Sequence, residues 1–330
     1  MNTSVRLWIA VWIVATLGLA LLGVAAGSQG WSLNWLDDQV LITQIRAPRT
    51  LGAWATGALL GLAGAVAQGL FRNPLADPYL LGSASGASLA VVLVLGFAAA
   101  VGAGHILWLG ELSWGALLVL AAFLGALGGV ATSWFLARSS GRPTTLLLSG
   151  VVVSVLMTAL SDLVVTLEPG TLRGRQLFLL GSTGLLGWSS ALFLSGATAV
   201  LLWVSMRYAR ALDALTLGDD TAASLGLSLA WVRGAYVGIM ALATACAVSQ
   251  TGLIAFVGLV APHVARRLMP LTHRVLLVFS SLVGGFLLLA ADVAARSLNA
   301  PVELPVGLLT AVVGGLYLLW LLRRQDGAGS

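Results

Sequence analysis

Long runs of apolar residues, most of them close to 20 residues in length, constrain the fold of this 330-residue chain more than any other feature. An α-helix needs about 20 apolar residues to cross the hydrocarbon core of a bilayer. Only 9% of the residues are charged, against about 25% in an ordinary soluble domain, so a water-soluble globule is excluded. The sequence therefore predicts an all-α membrane protein with a single transmembrane domain over residues 1–330.

Ten apolar segments are candidate membrane spans, with boundaries uncertain by several residues. They cover residues 7–26, 51–71, 80–101, 114–137, 145–167, 186–205, 231–248, 253–265, 275–295 and 304–322. The eighth is too short to span comfortably as a straight helix. Gly252, Gly258 and Pro262 in and beside it predict a broken or kinked element packed inside the protein, where irregular backbone is tolerated.

The distribution of arginine supports ten spans with both termini in the cytoplasm. With that topology, twelve of the 17 basic residues, all of them arginine, lie on the inner side. The five on the outer side are Arg46, Arg49, Arg173, Arg175 and Arg296. This asymmetry follows the positive-inside rule, whereas an odd number of spans would place the Arg323–Arg324 tail outside.

Three of the outer arginines, Arg46, Arg49 and Arg296, permit two interpretations. Arg296 follows Asp292 by four positions, the spacing of an ordinary pair on one helix face. Alternatively, the three form an outer patch that receives carboxylates from a soluble partner, because guanidinium groups bind carboxylates bidentately. Spacing alone does not choose between them.

Residues 212–227, between the sixth and seventh spans, are the only extended interior segment that resembles a small water-facing helical unit. Leu212, Leu215 and Leu217 would give it an apolar edge. Asp219 is placed to cap a short helix, and Gly226 to end that helix in a left-handed turn.

This unit is either a surface helix lying on the membrane or a docking surface for a soluble partner. Ala222 and Ala223 are small enough to allow a partner to approach closely. A connection between two membrane helices does not need such a unit, which favours docking.

The inner segment 71–79 contains two prolines, and each disfavours helix at the residue before it. Asn73 and Asp77 are therefore predicted to be extended or turn-forming. The segment is either an ordinary turn between spans two and three or a rigid constriction at the cytoplasmic mouth.

Several functional classes lack the residues that they require. The few acids in the spans, Asp162 and Asp292, lie near the predicted outer boundary, whereas proton- or sodium-coupled carriers usually keep ionisable groups near the midplane. The sequence shows no ligand spacing for a metal, no nucleophile–base constellation for catalysis, and no basic-aromatic surface for nucleic acid.

Motifs distributed almost from end to end make the chain resemble the FecCD family of ABC-importer permeases, which carry vitamin B12, haem and ferric siderophores. The matching motifs include Arg46-Ala-Pro-Arg49, Asn73-Pro-Leu-Ala-Asp-Pro78, Leu146-Leu-Leu-Ser-Gly150, Leu217-Gly218, Ser224-Leu-Gly226, Gly252 to Gly258 with Pro262-His263, Asp292 with Arg296, and Glu303-Leu-Pro-Val-Gly307. One departure is Gly314-Gly-Leu-Tyr317, where many relatives carry Gly-Ala-Pro and a phenylalanine.

The resemblance implies a homodimer of ten-helix subunits in the bacterial inner membrane, in contact with membrane lipid. It also implies a periplasmic binding protein docked on Arg46, Arg49 and Arg296. Two cytoplasmic ATPase subunits would bind ATP and Mg²⁺, so this chain would need no cofactor and would not itself be an enzyme. The implied residues that couple the chain to the ATPase are Leu215, Leu217, Gly218, Asp219, Ala222, Leu225 and Gly226, and those of the cytoplasmic gate are Asn73, Leu75, Pro143 and Thr144.

Two other functional classes remain as alternatives, a proton-coupled secondary carrier and a membrane-bound structural or receptor protein. The 212–227 unit is required only by an ATPase-driven transporter. Within that class haem is the favoured cargo, followed by a ferric siderophore and cobalamin. Arg173 and Arg175 could contact haem propionates, or they could simply anchor an outer loop.

Overall fold

The structure is a computed structural model that describes residues 3–27, 30–31, 39–101, 110–138, 142–268 and 272–326. It is almost entirely helical. The first half contains α1 (Thr3–Ala25), a short antiparallel hairpin of β1 (Ala26–Gly27) and β2 (Gly30–Trp31), α2 (Gln39–Leu41), a π-helical turn (Ile42–Arg46), α3 (Ala47–Phe71), α4 (Ser83–Val101) and α5 (Gly110–Ala137). The second half contains α6 (Pro143–Leu167), a 3₁₀ turn (Pro169–Thr171), α7 (Leu172–Leu180), α8 (Trp188–Thr216), α9 (Asp219–Ser224), α10 (Leu229–Thr251), α11 (Val257–Leu268), α12 (His273–Ser297) and α13 (Val306–Asp326).

Each of the ten predicted segments overlaps a different helix, namely α1, α3, α4, α5, α6, α8, α10, α11, α12 or α13. Eight helices of the described residues are long and apolar enough to cross a membrane. The exceptions are α11, with 12 residues, and α13, whose apolar part is Val306–Leu321. The count of ten spans therefore stays a prediction.

Helix α3 is the centre of the bundle, and every residue from Ala55 to Phe71 is buried. It packs against α8, α10, α11 and α12. Small residues allow this packing: a Cβ on Gly61 would lie 2.2 Å from the carbonyl oxygen of Ser280, and one on Gly64 only 1.6 Å from that of Gly258. Glycine on the facing helix surfaces lets the backbones approach this closely.

The predicted break in the eighth segment is confirmed. Residues 252–256 are not helical, and Gly252 and Phe256 both have positive φ. The backbone N–H of Leu253 donates to the Phe178 carbonyl (2.9 Å), so this irregular backbone has hydrogen-bond partners inside the protein. Pro262 lies within α11 and has no N–H to donate to the Gly258 carbonyl, the same group that packs against Gly64.

The ends of α3, α8 and α12 define two ends of the molecule. Arg49 lies near the start of α3 and contacts Asp292 near the end of α12, so we call this the Asp292 end. Arg72 follows the last residue of α3 and contacts Asp219, so we call the opposite end the Asp219 end. Helix α3, with 25 residues, runs from one end to the other, so the two ends lie roughly 37 Å apart.

Candidate functional site

The predicted 212–227 unit is smaller than the sequence indicated. Helix α8 continues without interruption to Thr216, and Leu212 and Leu215 are buried in its last turns. They therefore join α8 to the core and do not form the edge of a separate unit, so that part of the prediction is wrong. Only Leu217, with 68% of its surface exposed, lies outside the core.

Helix α9 begins after a sharp turn at Gly218, whose φ is +116°. Gly218 occupies the position before the first helical residue, and no side chain caps the helix. The predicted capping role of Asp219 is therefore wrong: the glycine turn places Asp219 inside the first turn, where its carboxylate can reach other elements. Gly226 has a φ of +81°, which confirms the predicted left-handed turn after the helix.

Asp219 forms a bridge between two arginines of different helices. Its Oδ1 accepts from Arg72, the residue that ends α3, and its Oδ2 accepts from Arg233 of α10 at 2.6 Å. The hydrogen bond from Arg233, with a smaller contribution from Arg72, holds the pKa of Asp219 below its ordinary value despite partial burial. The carboxylate is therefore charged at neutral pH and ties α9 to α3 and α10.

Part of the exposed surface of this region, which we call the turn face, consists of Leu217, Thr221, Ala223 and Leu225. Leu217 and Leu225 are 68% and 64% exposed, large fractions for leucine outside a membrane span. Ala222 is fully buried, so the interpretation of this residue as a point of close approach for a partner is wrong. The turn face presents two leucines on a short element that is held in place by Asp219 and Ala222.

The segment between α3 and α4 starts directly at Arg72, which has a positive φ of 51°. As predicted, Asn73 and Asp77 form turns: their side-chain oxygens accept from the backbone N–H of Leu75 (2.9 Å) and Tyr79 (2.8 Å). Desolvation by burial raises the pKa of Asp77 to about 6. Asn73 and Leu75 are exposed, and the Asp219–Arg72 pair joins this segment to α9.

Pro143 and Thr144, the other predicted gate residues, are the first two residues of α6. Thr144 is exposed and Pro143 partly so. Helix α6 meets the segment before α4 at Gly150, where a Cβ would lie 2.2 Å from the Leu80 carbonyl oxygen. The predicted gate residues therefore belong to two elements that pack together at this point.

At the Asp292 end, a second aspartate bridges two arginines. Asp292 is fully buried; its Oδ1 accepts from Arg49 Nε at 3.0 Å and its Oδ2 from Arg296 Nη2 at 2.5 Å. Arg296 also donates to the carbonyls of Gly23 (2.8 Å) and Ala26 (3.0 Å). The Asp292–Arg296 pair expected from the spacing of four residues is therefore confirmed.

Two further side chains complete the cluster. Glu303 binds Arg49 Nη1 through both carboxylate oxygens, at 3.0 and 2.8 Å, and the hydroxyl of Thr183 donates to Asp292 at 2.5 Å. Arg46 is buried nearby and donates to the Ala25 carbonyl at 3.3 Å. Beside the cluster lies a cavity of about 140 Å³ whose lining includes Arg46, Arg49, Arg296 and Glu303.

The three predicted docking arginines are thus together, but they are 8%, 7% and 2% exposed. The charges of Arg49 and Arg296 are balanced within the chain by Asp292 and Glu303. Arg175 likewise pairs with Asp162 at 2.6 Å, which supports the interpretation that it anchors a loop. Arg173 is exposed.

Several contacts at these sites were not foreseen from the sequence. Among them are the pairing of Arg72 and Arg233 with Asp219, the pairing of Arg49 with Asp292 and Glu303, the hydrogen bond from Thr183 to Asp292, and the pairing of Asp213 with His273 (2.7 Å) that joins α8 to α12. None of these pairs lies at a helical spacing, so no local pattern could have identified them.

Comparison with known proteins gives a consistent result along the whole chain. The model of the FecCD transport family matches residues 7–324. The hemin transport system permease protein HmuU of Yersinia pestis is 38% identical over 323 residues, covering 95% of this chain and 93% of that protein. The Fe(3+) dicitrate transport system permease protein FecD of Escherichia coli is 36% identical over 289 residues, covering 88% and 87%.

Two further matches agree. The cobalamin import system permease protein BtuC of Halobacterium salinarum is 36% identical over 290 residues, covering 87% of this chain and 74% of that protein. A solved structure described as an inward-facing, metal-chelate type ABC transporter superposes with a TM-score of 0.84 at 29% identity, covering 95% and 97% of the two chains. With eight long apolar helices among the described residues, this chain is a multi-pass membrane protein that belongs to the FecCD transport family.

Proposed function

We propose that this chain is the permease subunit of a binding-protein-dependent ABC importer that moves an iron or metal chelate from the periplasm to the cytoplasm. The observation that carries the proposal is the structural match over 95% of the chain to a metal-chelate type ABC transporter. Haem is the proposed cargo, because the hemin permease of Y. pestis aligns with almost the whole chain. A ferric siderophore and cobalamin are the alternatives within the same mechanism.

The subunit would work as a homodimer of ten-span chains in the inner membrane, with both termini in the cytoplasm. Two ATPase subunits would bind ATP and Mg²⁺, so this chain performs no hydrolysis itself. The Asp219 end would face the cytoplasm and the Asp292 end the periplasm. The mechanism is alternating access: closure of the ATPase pair would move the turn face as a rigid body and open the path at the other end.

The turn face supports the ATPase-docking part of this proposal. Leu217 and Leu225 are exposed apolar groups on an element held by the Asp219 bridge. Through Arg72, the same bridge reaches Asn73 and Leu75, the proposed gate residues. A movement of α9 would therefore be transmitted to the gate segment by direct ion pairing.

A reconstitution experiment tests this function. The double variant Leu217→Glu/Leu225→Glu should weaken binding of the ATPase by about tenfold per leucine, because each loses its apolar burial at the interface. ATP-dependent haem uptake into proteoliposomes should fall in parallel. Leu185→Glu is the matched control for ATPase binding, since Leu185 is 91% exposed but lies at the Asp292 end. Haem uptake by vesicles without any ATPase would contradict the proposal and favour a secondary carrier.

The Asp292 end would receive the binding protein at Arg46, Arg49 and Arg296. A partner carboxylate would have to displace Glu303, whose side chain is 33% exposed, to bind Arg49 Nη1. The adjacent cavity of about 140 Å³ gives room for such an exchange. Reversing the charge of Arg49 or Arg296 would damage the buried cluster itself, so Glu303 is the better position for a test.

We expect Glu303→Gln to raise the affinity for the binding protein about fivefold at low salt, because a neutral amide competes less well for Arg49 than a carboxylate does. Glu168→Gln removes a carboxylate from the same end without changing the cluster and should have no effect. Binding measured by surface plasmon resonance at two ionic strengths distinguishes these cases. If the Glu303→Gln variant and the wild type bound the binding protein with equal affinity at both ionic strengths, docking at this cluster would be excluded.

A further inference from the structure

Helix α8 carries an outward-facing stripe that changes from apolar to basic along its length. Phe193, Val200 and Trp203 are 46%, 60% and 61% exposed. Arg207 and Arg210 continue the same stripe, since steps of three, four and seven residues stay on one face of a helix. An exposed apolar surface that ends in arginine is the pattern of a helix that contacts both acyl chains and headgroups of lipid.

The two arginines line a shallow cavity together with a third arginine from another helix. The cavity has a volume of about 260 Å³ and is formed by Met206, Arg207, Ala209 and Arg210 of α8 and by Arg274 of α12. It lies at the Asp219 end, where α8 ends and α12 begins.

Nothing in the described part of the chain balances these charges. None of the three arginines forms an ion pair with a described carboxylate. The closest acid along α8, Asp213, accepts from the backbone N–H of His273 at 2.9 Å and contacts its ring Nδ1 at 2.7 Å. The cavity is therefore a site of uncompensated positive charge, unlike the two aspartate-bridged clusters.

Neighbouring aromatic residues indicate the depth of this cavity relative to the bilayer. Tyr208 of α8 and Trp231 of α10 form an edge-to-face pair with ring centroids 5.4 Å apart, and both are exposed. Exposed tyrosine and tryptophan collect at the level of the lipid headgroups, with an apolar ring on one side and water on the other. Arg207, next to Tyr208 in the sequence, thus lies at headgroup depth.

We propose that this cavity binds the phosphate of an anionic phospholipid, whose acyl chains lie along the Phe193–Trp203 stripe. Three guanidinium groups provide forked donors to phosphate oxygens, and basic pockets between membrane helices are suited to such headgroups. A free phosphate ion would use the arginines but would gain nothing from the apolar stripe. A second copy of the chain is a poor occupant, because a two-fold interface on this patch would oppose arginine to arginine.

Native mass spectrometry of the full chain, titrated with phosphatidylglycerol or phosphatidylcholine, tests the proposal. The triple variant R207Q/R210Q/R274Q should bind phosphatidylglycerol on the order of a hundredfold more weakly, at about fivefold per arginine, with little change for phosphatidylcholine. The variant with lysine at all three positions should retain most of the preference. R6Q/R173Q/R323Q removes three exposed charges elsewhere and should behave like the wild type.

Each other outcome assigns the cavity to another occupant and overturns the proposal. An unchanged preference for phosphatidylglycerol in the glutamine variant would show that lipid selection lies elsewhere. Binding of inorganic phosphate as tight as that of phosphatidylglycerol would show that the acyl chains contribute nothing and would identify a site for free anions. Loss of self-association or of ATPase binding, with lipid affinity unchanged, would identify a protein interface. Thermal unfolding in phosphatidylcholine should show that all variants remain folded.

Discussion

Each end of the molecule contains one aspartate that bridges two arginines from different parts of the chain, but the two bridges are built in different environments. Asp292 joins Arg49 to Arg296, with side-chain exposures of 0%, 8% and 2%. Asp219 joins Arg72 to Arg233; Asp219 is 39% exposed and Arg72 37%, whereas Arg233 is only 10% exposed. Both bridges pair one carboxylate with two guanidinium groups, and the main difference between them is how deeply the carboxylate is buried.

The first bridge is costlier to break than the second because it is buried more deeply. Removing one partner of a buried pair leaves charges without solvation, whereas water replaces a lost partner at the surface. The Asp292 bridge therefore fastens α3 to α12, with additional support from Thr183 and Glu303. The Asp219 bridge joins α9 to α3 and α10 at a partly exposed site, where the proposed function needs it to stay formed while it transmits movement.

The largest effect predicted from this comparison is that of Asp292→Ala. Loss of this carboxylate leaves Arg49 and Arg296 facing each other in a buried site, so we expect about 3–5 kcal/mol of destabilisation. Chemical unfolding of the purified protein in detergent measures it. Glu303→Gln, which removes a carboxylate from the same cluster at a more exposed position, is the control and should cost about 1 kcal/mol.

Asp292→Ala should lower the free energy of unfolding more than Glu303→Gln does. If Asp292→Ala destabilised the protein no more than Glu303→Gln did, burial would not be the property that separates the two ends. Because Asp292 lies far from the turn face, binding of the ATPase should be unchanged in any folded fraction of the variant.

The smallest effect on stability is expected for Asp219→Asn. The exposed Arg72–Asp219 pair contributes less than about 1 kcal/mol, and an asparagine amide oxygen can still accept from the buried Arg233, so the unfolding free energy should change little. Transport should nevertheless fall, because α9 loses its ionic connection to Arg72 and hence to the gate segment. We expect ATP hydrolysis by the reconstituted complex to continue while haem uptake per ATP decreases several-fold.

The neighbouring residue provides a matched control for this measurement. Asp220 is in the same helical turn, is exposed, and forms no ion pair within the described residues. Asp220→Asn should leave both uptake and hydrolysis unchanged. Equal uptake per ATP in the Asp219→Asn variant and the wild type would mean that the bridge has no part in coupling.

Much of the fold was predictable because membrane helices are specified locally. A stretch of apolar residues must form helix wherever it crosses the bilayer, since no water is present to satisfy its backbone. The break near Gly252 and the turns at Asn73 and Asp77 also follow from single residues with strong backbone preferences. The same local reasoning was wrong for Asp219, because a glycine turn shifted the helix start by one residue and placed that side chain between two arginines.

The sequence by itself determined that this is a helical membrane protein, where its helices lie, and which family it belongs to. Only the tertiary structure decided which charges are paired and how deeply. Arg49 and Asp292 are 243 positions apart, and Arg72 and Asp219 are 147 apart. Contacts at such separations depend on how helices pack, and close packing at positions such as Gly61 and Gly64 sets which charged side chains meet and which remain open to a ligand.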